Sequence, residues 1–347
     1  MNRSRLHSLR NIAAALLACV GFASCTQDEL TEQGTPLPVG QYPLELAAGG
    51  LQAVATPPQP ATHGTMDGDW DGVERVTVMV NNEEEKTKEY KVEASEDKKV
   101  ALLTPENPLE NDDDLFWWTS TGERKTVTAW TPYERTLYEW FDLPTAWEKD
   151  DFAKYDIIGV RKDIQFTDDP KSLEFRHLMA KVVINLRKTD YLENAQKVDV
   201  QLLNWHKAVR LEISSNQLQV YYNWSSAIVN ITPYLLPAET YEEVDFGNGH
   251  REKPFASYTA LVYPVNLGNT NVLQNVLQIE VDGTIYPVTK EILGQGGMLG
   301  SVKYEAGQTT TFNITVKGNE LDVSIDYKEN IGWGTDGNTG SGEVELP

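Results

Sequence analysis

Short runs of alternating apolar and polar residues, rich in Val, Ile, Thr and Tyr and separated by turn-forming residues, recur from residue 75 to residue 325. That pattern is strand behaviour. A first group predicts strands over 75–81 (RVTVMVN), 88–94, 114–120, 126–133, 155–161 and 180–186. A second predicts them over 197–205, 210–214, 218–222, 228–237, 258–265, 276–289 and 309–325. So many strands at regular spacing predict an all-β protein built of sandwiches or barrels. Asp282-Gly283, the favoured type I′ pair, and Gly318-Asn319 lie between apolar runs and predict hairpins. Two short peripheral helices are expected, over 132–141 and 145–155.

The polar stretch 187–196 carries no β pattern and divides the groups near residue 188. A chain of 347 residues exceeds one ordinary core, so two domains are expected, 67–188 and 189–347. Ahead of them, 25–66 is a leader rich in Pro, Gly, Thr and Gln, interrupted by YPLELAA at 42–48. That interruption alternates as a strand, with Leu44 and Leu46 on one face. At the other end, residues 331–347 hold five glycines before Val344 and Leu346 alternate with Glu343 and Glu345. The tail reads either as a frayed terminus or as a strand behind a glycine hinge.

Arg3, Arg5 and Arg10 precede an apolar run from Ile12 to Phe22, the layout of a secretory signal peptide over 1–24. The run is shorter than the roughly 20 residues of a membrane-spanning helix. Of the two cysteines, Cys19 falls inside that peptide, so a disulfide for Cys25 is excluded. FASC (22–25) resembles a bacterial lipobox, whose cysteine is acylated with palmitate-type chains; cleavage after Ala23 with a free thiol is the alternative. The following TQDE is similar to the surface-export signal of Bacteroidetes lipoproteins. Several acyl chains anchor far more firmly than one. Three of the 30 basic and none of the 52 acidic residues lie in 1–24, so the remainder carries a net charge of −25. Nucleic acid, which needs a basic footprint, is excluded as a partner.

Chemistry-bearing motifs are sparse. His63, His177, His206 and His250 show no metal-binding spacing. GQGGMLG (294–300) has Leu299 where a dinucleotide fingerprint needs its last glycine. In DGDWDG, Asp67, Asp69, Asp71 and Gly72 match the start of a calcium loop, but the twelfth position is Val78, so a turn is expected. There is no GxSxG elbow and no thiol beyond Cys25. No enzyme, cofactor or metal is implied. Trp117, Trp118 and Trp130 could stack on sugar rings, with Trp117 and Trp118 on opposite faces of one strand. A glycan-binding surface lipoprotein is therefore the alternative function.

Cys25 with TQDE, the YPLELAA strand, DWDGVERVTVMV (69–80), LEFRHLMAKVVINL (173–186) and FNITVKGNELDVS with IGWGTDG together resemble the fimbrillin family, subunits of the Bacteroidales type V pilus. Phe175, His177, Ala180 and Lys181 are the most specific part. The resemblance implies two transthyretin-like (Ig-like) β-sandwiches in tandem, exported as a surface lipoprotein of the outer membrane with lipid on Cys25. It implies that a trypsin-like, typically Arg-specific protease removes the lipid and the first strand (Tyr42, Leu44, Leu46) together. A neighbour's C-terminal strand, here Val344 and Leu346, would fill the groove by β-augmentation. The partners implied are other pilus subunits and a host or bacterial surface ligand for adhesion.

One segment departs from the family pattern. No Arg or Lys occurs between Cys25 and Val73, and Val54 stands in LQAVATPP where relatives carry an Arg before AT. The first basic residue, Arg75, lies inside a predicted strand. Two expectations follow: a protease of other specificity cuts within 49–66, or the subunit stays lipid-anchored with its first strand in place, at the base or end of a fibre.

Overall fold

The computed structural model describes residues 34–49, 70, 72–105, 115–132, 134–168, 171–247, 249, 251–266, 275–289, 303–318, 321–329 and 337–342. The protein is all-β, with α-helix confined among these residues to Asp151–Tyr155 and Asp190–Glu193. None of the described residues of 132–141 is helical. Tertiary bonds take their backbone groups: the Tyr138 N–H donates to the Leu211 carbonyl at 2.7 Å, and Phe141–Asp142 pairs with Ala208–Val209. The second predicted helix shrinks to Asp151–Tyr155 because the Trp147 N–H donates to the Thr232 carbonyl instead, at 2.9 Å. Isolated helices this short are marginal, so cross-strand pairing wins.

An eight-stranded sheet builds the first core. Its spatial order is Ser172–Glu174, Leu46–Gly49, Ala101–Pro105, Lys88–Ala94, Arg75–Val80, Arg124–Thr131, Ile158–Gln165 and Arg176–His177. The two end strands are neighbours in the chain, with only Phe175 between them. The sheet therefore curls until its edges nearly meet, around Val76, Val78, Tyr90, Val127 and Trp118. Closure of this kind shields edges that would otherwise invite pairing. The strand Ala101–Pro105 escapes a sequence reading because its outward neighbours Val100 and Leu102 are apolar too, which hides the alternation. Conversely, 115–121 makes isolated bridges rather than the continuous strand expected over 114–120.

The second core gathers apolar residues chiefly from three further sheets, joined by Met79 and Trp130 of the first sheet and by Tyr304. Ala180–Leu186 lies inside a six-stranded sheet, antiparallel to Ala256–Val262 and parallel to Gln308–Val316. That sheet continues through Leu321–Glu329 to Gly337–Gly342 at its edge. A four-stranded sheet centred on Val198–His206 and Asn275–Val281 and a three-stranded sheet of Gln217–Tyr222, Ala208–Ser214 and Phe141–Asp142 complete it. Asp282 and Gly283 turn with φ of 49° and 86°, the hairpin expected. Leu137, Leu143, Trp147, Phe152 and Ile157 also pack into this second core, although the first sheet resumes after them at Ile158.

Candidate functional site

The leader is built into the first sheet. Leu46, Ala47 and Ala48 pair antiparallel with Leu103, Leu102 and Ala101, while Ala47, Ala48 and Gly49 pair in parallel with Ser172, Leu173 and Glu174. Upstream, the Leu37 and Leu44 N–H groups donate to the Thr119 and Phe116 carbonyls at 2.9 and 2.7 Å. The Trp118 N–H returns a bond to the Tyr42 carbonyl at 2.9 Å. Leu44, Leu46 and Ala48 are each 1% exposed, and Glu45 between them faces solvent, so the expected alternation is realised. Tyr42 is 40% exposed and sets its ring edge-on to Phe166 at 5.7 Å. Burying the two leucines contributes about 1.5–3 kcal/mol each.

The segment beside the leader is held by charge. Lys125 Nζ lies 5.2 Å over the Trp118 ring and bonds Glu123 at 2.5 Å, and Glu123 also accepts from the Thr119 N–H at 2.6 Å and hydroxyl at 2.9 Å. Burial pushes the Glu123 carboxyl up, but the bonds from Lys125 and Thr119 together outweigh it and hold the group below its ordinary value. Nothing in the sequence marks 115–121 or Phe166 as partners of a leader strand some 70 or more residues away; only long-range pairing reveals them.

Phe175, His177, Ala180 and Lys181, singled out in the sequence, sit where the chain crosses between cores. Phe175 packs edge-on against Trp70 at 5.0 Å in the first core. His177 Nδ1 lies 2.8 Å from Asp156 Oδ1, both groups buried. Ala180 is fully buried at the start of a second-core strand, and the half-buried Lys181 pairs in register with Leu261 and Thr309. Trp118 and Trp130 are buried, the latter donating from Nε1 to the Arg135 carbonyl at 2.6 Å, so neither offers a face to a sugar. Trp117 is half-buried in a bridge to Pro43.

Cys25, residues 50–66 of the segment expected to be cut, Asp67, Asp69, Asp71, the 294–300 loop, Val344 and Leu346 lie outside the described residues. Among those described, no three His, Cys, Asp or Glu side chains group as metal ligands.

A family model described as fimbrillin-like matches residues 61–328. No curated protein matches the sequence. Of solved structures, a candidate cell adhesion protein from Bacteroides uniformis aligns at TM-score 0.54 with 14% identity, covering 84% of this chain and 99% of that one. A fimbrial assembly protein from Parabacteroides distasonis aligns at TM-score 0.40 with 12% identity, covering 86% and 98%. The first of these has the same fold. The match of one family model across both cores makes the conclusion plain: this chain belongs to the fimbrillin-like family.

Proposed function

We propose that this protein is a structural subunit of a surface pilus serving adhesion, attached to the outer membrane through lipid on Cys25 and joined to its neighbours by strand exchange. The observation that carries the reading is the seat of the leader: one strand, bonded on both sides, whose buried face is Leu44, Leu46 and Ala48. Were it withdrawn, the edges at Ala101–Pro105 and Ser172–Glu174 would stand two strand spacings apart, about 10 Å. That gap fits one replacement strand. The chain carries a matching one, since Val344-Glu345-Leu346 repeats the apolar-Glu-Leu order of Leu44-Glu45-Leu46. Donation of this tail to the next subunit is the proposed link, and the two cores are the proposed N- and C-terminal domains.

The absence of Arg and Lys from 26 to 74 supports a subunit that keeps its own leader. Arg75, the first basic residue, belongs to the strand Arg75–Val80 and pairs with Glu89 at 3.1 Å. With its slot permanently filled, such a subunit donates but does not accept, which suits the base of a fibre. Mass spectrometry of the N-terminus in fibres sheared from outer membranes tests this. An acylated Cys25 is expected. A start within 49–66 would overturn the anchored position, and absence of the chain from every fibre would overturn the subunit reading.

A further inference from the structure

Exposed tryptophan is concentrated in one place among the described residues. Among the described residues five aromatic side chains are well exposed, and four of them, Tyr138, Trp140, Tyr221 and Trp224, belong to the three-stranded sheet and its adjoining turns. Trp70, Trp118, Trp130, Trp147 and Trp205 are buried, so the chain has the means to hide indoles and does not hide these two. An apolar surface left in water away from any core marks a contact site.

The arrangement is ordered by register. Arg210 pairs with Tyr221 across one strand boundary, and Val209 pairs with Phe141 across the other, which brings Trp140 beside Arg210. The guanidinium lies 4.5 Å from the Trp140 ring centroid and 5.7 Å from that of Tyr221. Its Nε and Nη2 bond one oxygen of the buried Glu212 at 2.8 and 2.7 Å. Trp140 and Tyr221 nonetheless remain 43% and 40% exposed, and Trp224, just beyond the strand end, is 73% exposed. At that end Lys207 pairs with Asp142 at 2.7 Å.

We infer that this face binds a neutral pyranose glycan, with Trp140 and Trp224 as stacking plates and the Arg210 guanidinium, held by Glu212 against Trp140 and Tyr221, offering its remaining N–H groups to sugar hydroxyls. Area selects the occupant. Its strands of seven, six and two residues, at about 3.3 Å per residue and about 4.8 Å between strands, give a face of roughly 240 Å². A stable protein partner needs about 800 Å² on each side. A few sugar units fit, and their chemistry matches: an apolar C–H face for an indole and a hydroxyl edge for a planar donor fork locked by a carboxylate. Charge agrees. The patch carries two ion pairs and the exposed Glu139 on a chain of net charge −22, so an uncharged ligand avoids the repulsion that an anionic one would meet.

The test uses the full chain extracted in a non-glycosidic detergent, titrated by calorimetry and tryptophan fluorescence with laminarihexaose, mannohexaose, a neutral mucin-type hexasaccharide and a sialylated counterpart. Saturable binding of at least one neutral probe is expected, weakened about ten-fold or more in Trp140→Ala and in Trp224→Ala. Both positions are exposed, so unchanged melting temperatures should accompany the loss. Arg210→Lys, which keeps charge but loses the planar fork, should weaken binding as well. Binding by none of the neutral probes, preference for the sialylated one, or binding untouched by either tryptophan variant would overturn the inference. The readout is taken on isolated chains and is independent of fibre assembly.

Discussion

Leu46 and Tyr42 lie four residues apart in the leader and predict opposite outcomes. Leu46 is 1% exposed and sits among first-core side chains, so Leu46→Ala should lower the unfolding free energy by about 2–5 kcal/mol. Tyr42, 40% exposed with one aromatic neighbour, should cost under about 1.5 kcal/mol when replaced by alanine. Urea denaturation of the two variants measures both. A loss at Tyr42 equal to that at Leu46 would mean that the leader is held by its flank and not by its buried face. The shared buried face of Leu44 and Leu46 was legible from alternation, since period two in a strand fixes which side chains turn inward, and the structure adds Ala48 to it. The exposure of Trp140 was not, because the sequence around it has a helix-like spacing and only its pairing with another strand sets the face it presents.

Between elements, the contact of 115–121 with the leader depends on a carboxylate. Glu123 bonds the Thr119 N–H and hydroxyl and is paired with Lys125, and these bonds outweigh burial to hold its carboxyl below the usual range. A carboxyl lowered in the folded state stabilises fully above its unfolded value, about 4.3, and that contribution disappears as pH falls through the folded value. The melting temperature of the parent chain should therefore exceed that of Glu123→Gln at pH 6, with the gap narrowing below about pH 4. A gap constant over that range would exclude the carboxylate as the fastener. Strand existence was largely readable at this scale: Lys88–Ala94 and Ala180–Leu186 fall on the residues their alternation indicated. Partners were not, because Ala180–Leu186 borders strands some 75 and 130 residues away and no local pattern encodes that choice. Ser172–Glu174 and Arg176–His177 are too short for any period to show.

Across the whole molecule the two cores meet through Ile158–Gln165 and the Ala208–Tyr222 hairpin. Gly159 makes a close approach there, since a β-carbon on it would lie 2.6 Å from Leu218 Cδ2 and 3.1 Å from the Ala129 carbonyl oxygen. Nearby, Arg161 Nε donates to Asn216 Oδ1 at 3.0 Å and Nη1 to the Thr128 hydroxyl at 2.6 Å. Gly159→Val should force these surfaces apart and cost about 1–3 kcal/mol, read by calorimetry as separation of one thermal transition into two. A single undisplaced transition would show that the halves are coupled elsewhere. The leader's double-sided pairing also has a mechanical meaning. A pull applied along Leu46–Gly49 loads its hydrogen bonds to both neighbours at once, in shear. The edge strand Gly337–Gly342, bonded on one side only among the described residues, can instead be peeled bond by bond. The same chain thus holds a grip that resists tension and a flap that yields to it.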